Sequence, residues 1–340
     1  MISARSRPRA GICRRLGESD PYRVHDPKEI EAQLKGLDPR QRETFWKLYR
    51  TGQARLTDLE KRQSSQLLKL FKATAEDLES DLAKTFGKLD TEEWDLATMR
   101  RAGRDKALFD QIKDRIKTLG GNFKSVFDKN VLRSYRASYV DNAFRLDKLT
   151  PESVAIKFDI LPDREILALM NKPFQGARFS DRLGLITDDM AHTIQQELTR
   201  SMMAGENWRQ ASKRIMDEMG TQGQRAYWRS EMIARTELAR AQEIAAHQLY
   251  DENADVIEKV VWTAHPGACE ICQGLHGAIL KKPEDYPPSA SHPNCVCDAV
   301  AIPKSFDDLA DGDDDRLPPQ ESLKDWAKDR GAASAVGGTD

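Results

Sequence analysis

The chain has 340 residues, of which 32% are charged and only 7% aromatic, with a formal net charge of -2. That length allows two or three domains and a sizeable core, while the composition favours an extended, helix-rich architecture over a compact β-fold. A near-zero net charge argues against a chain that binds nucleic acid through its overall field.

Charge is nonetheless uneven. Arg5, Arg7, Arg9, Arg14 and Arg15 crowd the start, and Asp307, Asp308, Asp311 and Asp313 to Asp315 crowd the end. Such blocks are usually solvated chain. There is no run of eighteen apolar residues, so no transmembrane helix and no membrane partner are expected. The Arg-rich start lacks the apolar stretch of a secretory signal, which places the chain in a reducing cytosol. In that setting clustered cysteines bind metal more often than they form disulfides.

Residues 1–26 read as a disordered Arg-rich tail. Residues 27–174 read as a helical docking region, opened by the Asp26-Pro27 cap. Leu59, Leu67, Leu68, Leu70, Phe71, Leu78, Leu82 and Phe86 recur at spacings of three and four, which predicts an amphipathic helix over 56–86. Gly120-Gly121 predicts a break before a further helix to Tyr139, and 155–160 reads as a short strand or extended passage. The shift at Phe174 to Asp181 marks the entry to a domain at 175–303. Its helices are expected at 187–203, 207–219 and 222–250, with Gly205 and Asn207 as caps and Trp208 as a buried anchor. The β-branched run at 256–263 predicts a strand into a cysteine loop, and Ala299 to Pro303 a pairing strand out of it. Residues 304–340 read as an acidic, mostly disordered tail with a short amphipathic stretch from Glu321 to Lys328.

The chemistry-bearing feature is the loop itself. Four of the five cysteines fall between Cys269 and Cys297, as Cys269-Glu270-Ile271-Cys272 and then His292-Pro293-Asn294-Cys295-Val296-Cys297. Two such clusters can supply the four ligands of a structural, tetrahedral Zn2+, around which a small β-element folds in place of a hydrophobic core. Cys269, Cys272 and Cys295 are the first choices. The fourth ligand is His292 or Cys297, and spacing does not decide between them. A Cys-rich set disperses the ion's charge, so a structural role is expected over a catalytic one.

On the helix that precedes the loop, Tyr227, Ala234, Leu238, Ala241, Ala245 and Leu249 share a face, with Glu237 beside it and half-buried. A carboxylate there needs a donor, from Arg240 or from loop amides. Glu231 is placed to pair with Arg235. Arg235, Thr236, Glu237 and Trp262 together read as a polar clamp between this helix and the metal element.

Taken in order, Gly205 with Trp208, Arg235-Thr236-Glu237, Ala241, Tyr250, Trp262-Thr263, Cys269 to Cys272, Leu275-His276-Gly277 and His292 to Cys297 resemble the phage Mu F-like head-morphogenesis family, the minor head or minor capsid proteins. The resemblance covers about 175–303, and Val296 departs from it where the family usually has Arg. It implies a non-enzymatic virion component of phage or prophage origin, present in host cytoplasm during assembly. It also implies partners among portal, capsid and scaffold proteins. Some members are fused to toxin domains, including ADP-ribosyltransferases, and fewer than forty residues after Pro303 leave no room for one here.

The expected fold class is α+β and predominantly α-helical, with an elongated helical N-terminal region followed by a helical domain that a small zinc-stabilised β element closes. Lys113, Arg115, Lys117 and Lys124 offer contacts to packaged DNA, although solvated faces account for them equally well. The alternative function is a zinc-containing, treble-clef or HNH-like nuclease, to which His292 and Asn294 give a superficial match.

Overall fold

A computed structural model describes residues 30–87, 103–174, 176–204, 208–264, 268–280, 295, 297–309 and 317–336. The expectations for the 1–26 tail, the Asp26-Pro27 cap, Gly205, Asn207 and His292 fall outside these residues, as does the side chain of Trp208. Helices predominate: α1 (Pro39–Gly87), α2 (Arg104–Asp147), α3 (Asp163–Met170), α4 (Phe179–Met203) and α5 (Trp208–Glu252). After them come β1 (Ile257–Thr263), α6 (Glu270–Leu275), β2 (Ile279–Leu280), β3 (Asp298–Pro303), α7 (Phe306–Leu309), α8 (Leu323–Asp329) and α9 (Ala333–Val336). No described helix is long and apolar enough to cross a membrane.

Two expected breaks are absent. α2 runs unbroken through Gly120-Gly121, and α5 through Gly220 and Gly223. A helical glycine costs only about 1 kcal/mol, which long flanking runs of helix formers offset. Gly120 also has a packing reason, since a Cβ there would lie 3.3 Å from Cγ2 of Thr187 on α4. Nothing lies within 4 Å of a Cβ at Gly121.

The chain forms two compact units, one from the described parts of 1–57, 137–159 and 242–340, the other from 58–136 and 160–241. α1, α2 and α5 each contribute to both. The second unit is helical. Ile112, Ile116, Leu119, Phe123 and Phe127 recur on one face of α2 and are buried, as are Leu183, Ile186, Met190 and Ile194 on α4. Phe127 stacks on Phe179 with ring centroids 3.5 Å apart. Between α1 and α2, buried Gln63 donates to the Asn130 carbonyl and to Ser134 Oγ, both at 3.2 Å.

The first unit holds the sheet, ordered β2-β1-β3 and antiparallel throughout, with Val260 opposite Ala301 and Trp262 opposite Ala299. The sheet does have a hydrophobic core, contrary to the expectation that metal would replace one. Val261, Val300 and Ile302 pack with Ile30, Leu34, Leu37, Phe45, Tyr49 and Leu149. Apart from Leu149, the covering side chains come from more than 200 residues upstream, where sequence periodicity gives no hint of their partner.

Residues 155–160 form no strand. Asn253 serves in place of one. Its Oδ1 accepts the Lys157 N–H at 2.8 Å and its Nδ2 donates to the Lys157 carbonyl at 3.0 Å. Within the expected tail, α8 is embedded. Trp326 is fully buried, its indole N–H donating to Asp147 at 3.0 Å and its ring meeting Phe144 and Phe158 edge-on. One large aromatic in an acidic stretch thus supplies enough apolar area to dock a single helical turn or two.

Candidate metal centre and its supporting motif

β1 and β3 bring the ends of the cysteine loop together. Thr263 stands opposite Asp298, and the Thr263 hydroxyl donates to the Asp298 carbonyl at 2.9 Å. Cys297 and Cys295 directly precede β3. The other cluster opens α6, with Cys269 at the N-cap and Cys272 one turn on. The sulfurs of Cys272, Cys295 and Cys297 all lie within 4.8 Å of one another, the first two buried and the third half-buried.

Cys272 Sγ and Cys295 Sγ are 3.7 Å apart, nearly twice the disulfide length of about 2.05 Å. That spacing also suits a shared ion. A tetrahedron with zinc–sulfur bonds of about 2.3 Å has sulfur–sulfur edges of about 3.8 Å. The residues therefore fit a thiolate-bound metal. Cys269 is half-buried and stands outside this three-sulfur group, its side chain making no capping hydrogen bond.

The motif residues around the loop build its frame. His276 Nδ1 accepts the Ala264 N–H at 2.9 Å, so the ring pins the strand end. Gly277 sits at φ 78°, a left-handed turn that disfavours a side chain. Its N–H donates to the Trp262 carbonyl at 2.9 Å, while the Trp262 N–H donates to the Ala278 carbonyl at 3.0 Å. Trp262 itself is fully buried, and its indole nitrogen has no hydrogen-bond partner among the described residues. Two contacts tie this frame to the N-terminal segment: Gln33 reaches the Gly277 carbonyl at 3.4 Å and Gln53 reaches Asp298 Oδ2 at 3.1 Å.

A buried polar chain lies behind β3. The Tyr250 hydroxyl is 2.9 Å from Asn142 Oδ1 and 3.2 Å from the Ala299 carbonyl, either of which accepts its single proton. Arg145 donates to that hydroxyl at 3.3 Å and lies over the ring of Tyr49. Burial pushes the Tyr250 phenol up to about 12. Burial likewise raises the Asp298 carboxyl, with Arg145 pulling the other way.

Arg235, Thr236 and Glu237 belong to the second unit, whereas Trp262 belongs to the first. The three do not act on one target. Arg235 pairs with Glu60 of α1, in place of the expected Glu231. The Thr236 hydroxyl donates to the Met232 carbonyl in its own helix at 2.7 Å. Glu237 is 1% exposed, deeper than expected. Its donors are Arg240 at 3.1 Å and Arg182 of α4 at 3.2 Å, and no loop amide donates to it among the described residues.

Arg240 also donates to the Leu169, Met170 and Lys172 carbonyls, at and just beyond the end of α3. Arg182 reaches the Phe174 carbonyl, and both guanidiniums lie over the Phe174 ring. The clamp therefore fastens α5 to α4 and to the end of α3. Burial pushes the Glu237 carboxyl up, against the pull of Arg240 and then Arg182. Arg182 and Phe174 gave no signal in the sequence. They lie 55 and 63 positions from Glu237, beyond any local spacing rule.

Residues 192–300 match the model of the family described as Phage Mu protein F like protein. That segment is Mu F-like. Among curated proteins, the chain is 21% identical over 198 residues to NAD(+)--arginine ADP-ribosyltransferase EFV of Enterococcus faecalis, covering 53% of this chain. It spans 40% of that relative's length. No solved structure matches. The Mu F-like segment runs from α4 to the middle of β3. It includes the cysteine loop but none of the residues 30–49 that cover the sheet.

Proposed function

We propose that the chain is a phage minor head protein that assists head assembly in association with the portal, and that it performs no chemistry of its own. The observation that carries this reading is the Mu F-like match across 192–300, a span that takes in β1, β2 and the three clustered cysteines. His276, Thr236, Glu237 and the clustered Cys272, Cys295 and Cys297 each have structural partners: a strand end, a helix carbonyl, two guanidiniums or neighbouring thiols. The ligands of a zinc ion would be Cys272, Cys295 and Cys297, with the fourth from Cys269 or His292. When bound, the ion supplies a cross-link between α6 and β3, and its thiolate shell leaves it a weak Lewis acid.

The partners would be the portal, capsid and scaffold proteins of the virion, reached in host cytoplasm during assembly. Packaged DNA would be met by basic side chains of α2. Lys113, Lys117 and Lys124 are exposed, yet Lys124 already pairs with Asp128 at 2.5 Å.

The test is co-expression of the full chain with a portal protein from the same genome, followed by size-exclusion chromatography and electron microscopy of the rings. Co-elution with portal rings is expected. Complete separation at micromolar concentration, together with absence from purified heads, would sink the proposal.

A further inference from the structure

The sulfurs of Cys272, Cys295 and Cys297 lie within 4.8 Å of one another, which fits three corners of a tetrahedral thiolate site with a fourth left to fill. We infer that Cys269 fills it, so that Cys269, Cys272, Cys295 and Cys297 form a four-thiolate site and His292 stays outside it. The inference rests on the metal reading above.

Cys295 and Cys297 stand two positions apart just ahead of β3. Both sulfurs are already in the cluster. The second half of the loop thus presents its two ligands without His292, and the first half has presented only Cys272. Cys269 lies three positions ahead of Cys272, one turn of α6 away, a spacing that lets two side chains meet on one face. Its backbone is extended, with φ -68° and ψ 164°, so its side chain is not held by helical packing. The thiol makes no capping bond and is half-buried, next to the cluster in sequence and uncommitted to any cap. To close the site the Cys269 sulfur must reach the vertex that the other three leave, and no capping bond holds it elsewhere. Two ligands then come from each half of the loop, and the ion joins α6 to β3 with no open coordination position. Such a site cannot activate water, and it leaves His292 with no metal to serve.

The experiment uses the full chain purified with zinc and exchanged with cobalt(II). The wild type should hold one zinc per chain, and the cobalt form should show the tetrahedral visible bands with sulfur-to-cobalt charge transfer. Cys269→Ser should cut that charge-transfer intensity by about a quarter, one thiolate in four, and release zinc faster to a competing chelator. Cys269→His should retain the metal with a shifted spectrum. His292→Ala should change neither intensity nor release. If His292→Ala instead shifts the spectrum while Cys269→Ser leaves it intact, the assignment is wrong and the metal reading survives. If the wild type takes up neither zinc nor cobalt, the metal reading fails and the assignment with it.

Discussion

Replacing Glu237 by alanine removes the one carboxylate that two guanidiniums share. In the wild type Glu237 takes hydrogen bonds from Arg240 at 3.1 Å and Arg182 at 3.2 Å. Removing one partner of a buried ion pair typically costs about 3–5 kcal/mol, because the other charge is left buried. Two features reduce that figure here. Arg240 keeps three backbone carbonyls, and Arg182, whose side chain is 19% exposed, keeps the Phe174 carbonyl and some water. A cost of about 2–4 kcal/mol follows, combining the residual charge penalty with the loss of packed side-chain atoms. For a unit of this size each kcal/mol shifts the melting temperature by about 2–4 °C, so a drop of about 4–16 °C is expected. Differential scanning calorimetry of the full chain reads this directly. Adding Arg182→Ala should cost less than the two single losses summed, since the sites share a partner. An alanine variant that melts with the wild type, or fully additive losses, would show that the triad does not hold α5 to α4.

The same carboxyl gives a pH test. Burial raises it above the ordinary 4.5, so the folded protein holds this proton more tightly than the unfolded chain does. The stability from that difference is fully present below the unfolded value and is lost as pH rises through the folded one. The melting difference between wild type and Glu237→Gln should therefore shrink as pH rises from about 4 to 7. A widening difference would mean that the arginines outweigh burial. Trp326→Ala should destabilise by about 3–5 kcal/mol, since the ring is fully buried and donates to Asp147. An unchanged urea midpoint would remove α8 from the core. The adjacent glycines should part ways. Gly121→Ala, with open space at its Cβ, should gain about 0.5–1 kcal/mol, while Gly120→Val should lose about 1–3 kcal/mol against Thr187. Equal thermal shifts in both would refute the close approach of α2 and α4.

How much of this was legible in the sequence depended on distance along the chain. The strand at 257–263 and its partner at 298–303 could be read because β-branched runs flank the cysteine loop on both sides. The alanine face of α5 could be read because helical periodicity is local, and Ala234, Leu238, Ala241, Ala245 and Leu249 are indeed buried. The convergence of Cys272, Cys295 and Cys297 followed from their density, whereas Cys269, a first choice for ligand, stands outside that group. The partner of Glu237 was half visible: Arg240 is one turn away, but Arg182 is not. Glycine pairs misled, because a glycine inside a helix reads as a stop unless a neighbour needs the space. Trp326 misled for the opposite reason, since its acidic surroundings hid a core residue.

The cover of the sheet carries a consequence for synthesis on the ribosome. Phe45 and Tyr49 emerge early, yet Val300 and Ile302, which they pack against, follow roughly 250 residues later. At elongation rates of about 5–20 residues per second, those aromatic side chains wait about 12–50 seconds for their strand. Residues 58–136 and 160–241 are made in that interval and can close on each other first. The nascent chain thus holds its first apolar segment exposed while its middle folds, and the last strand to leave the tunnel completes what the first helix began. A chaperone that shields 30–57 during translation would raise the yield of folded protein, whereas a stall placed before codon 298 would leave that segment open to aggregation.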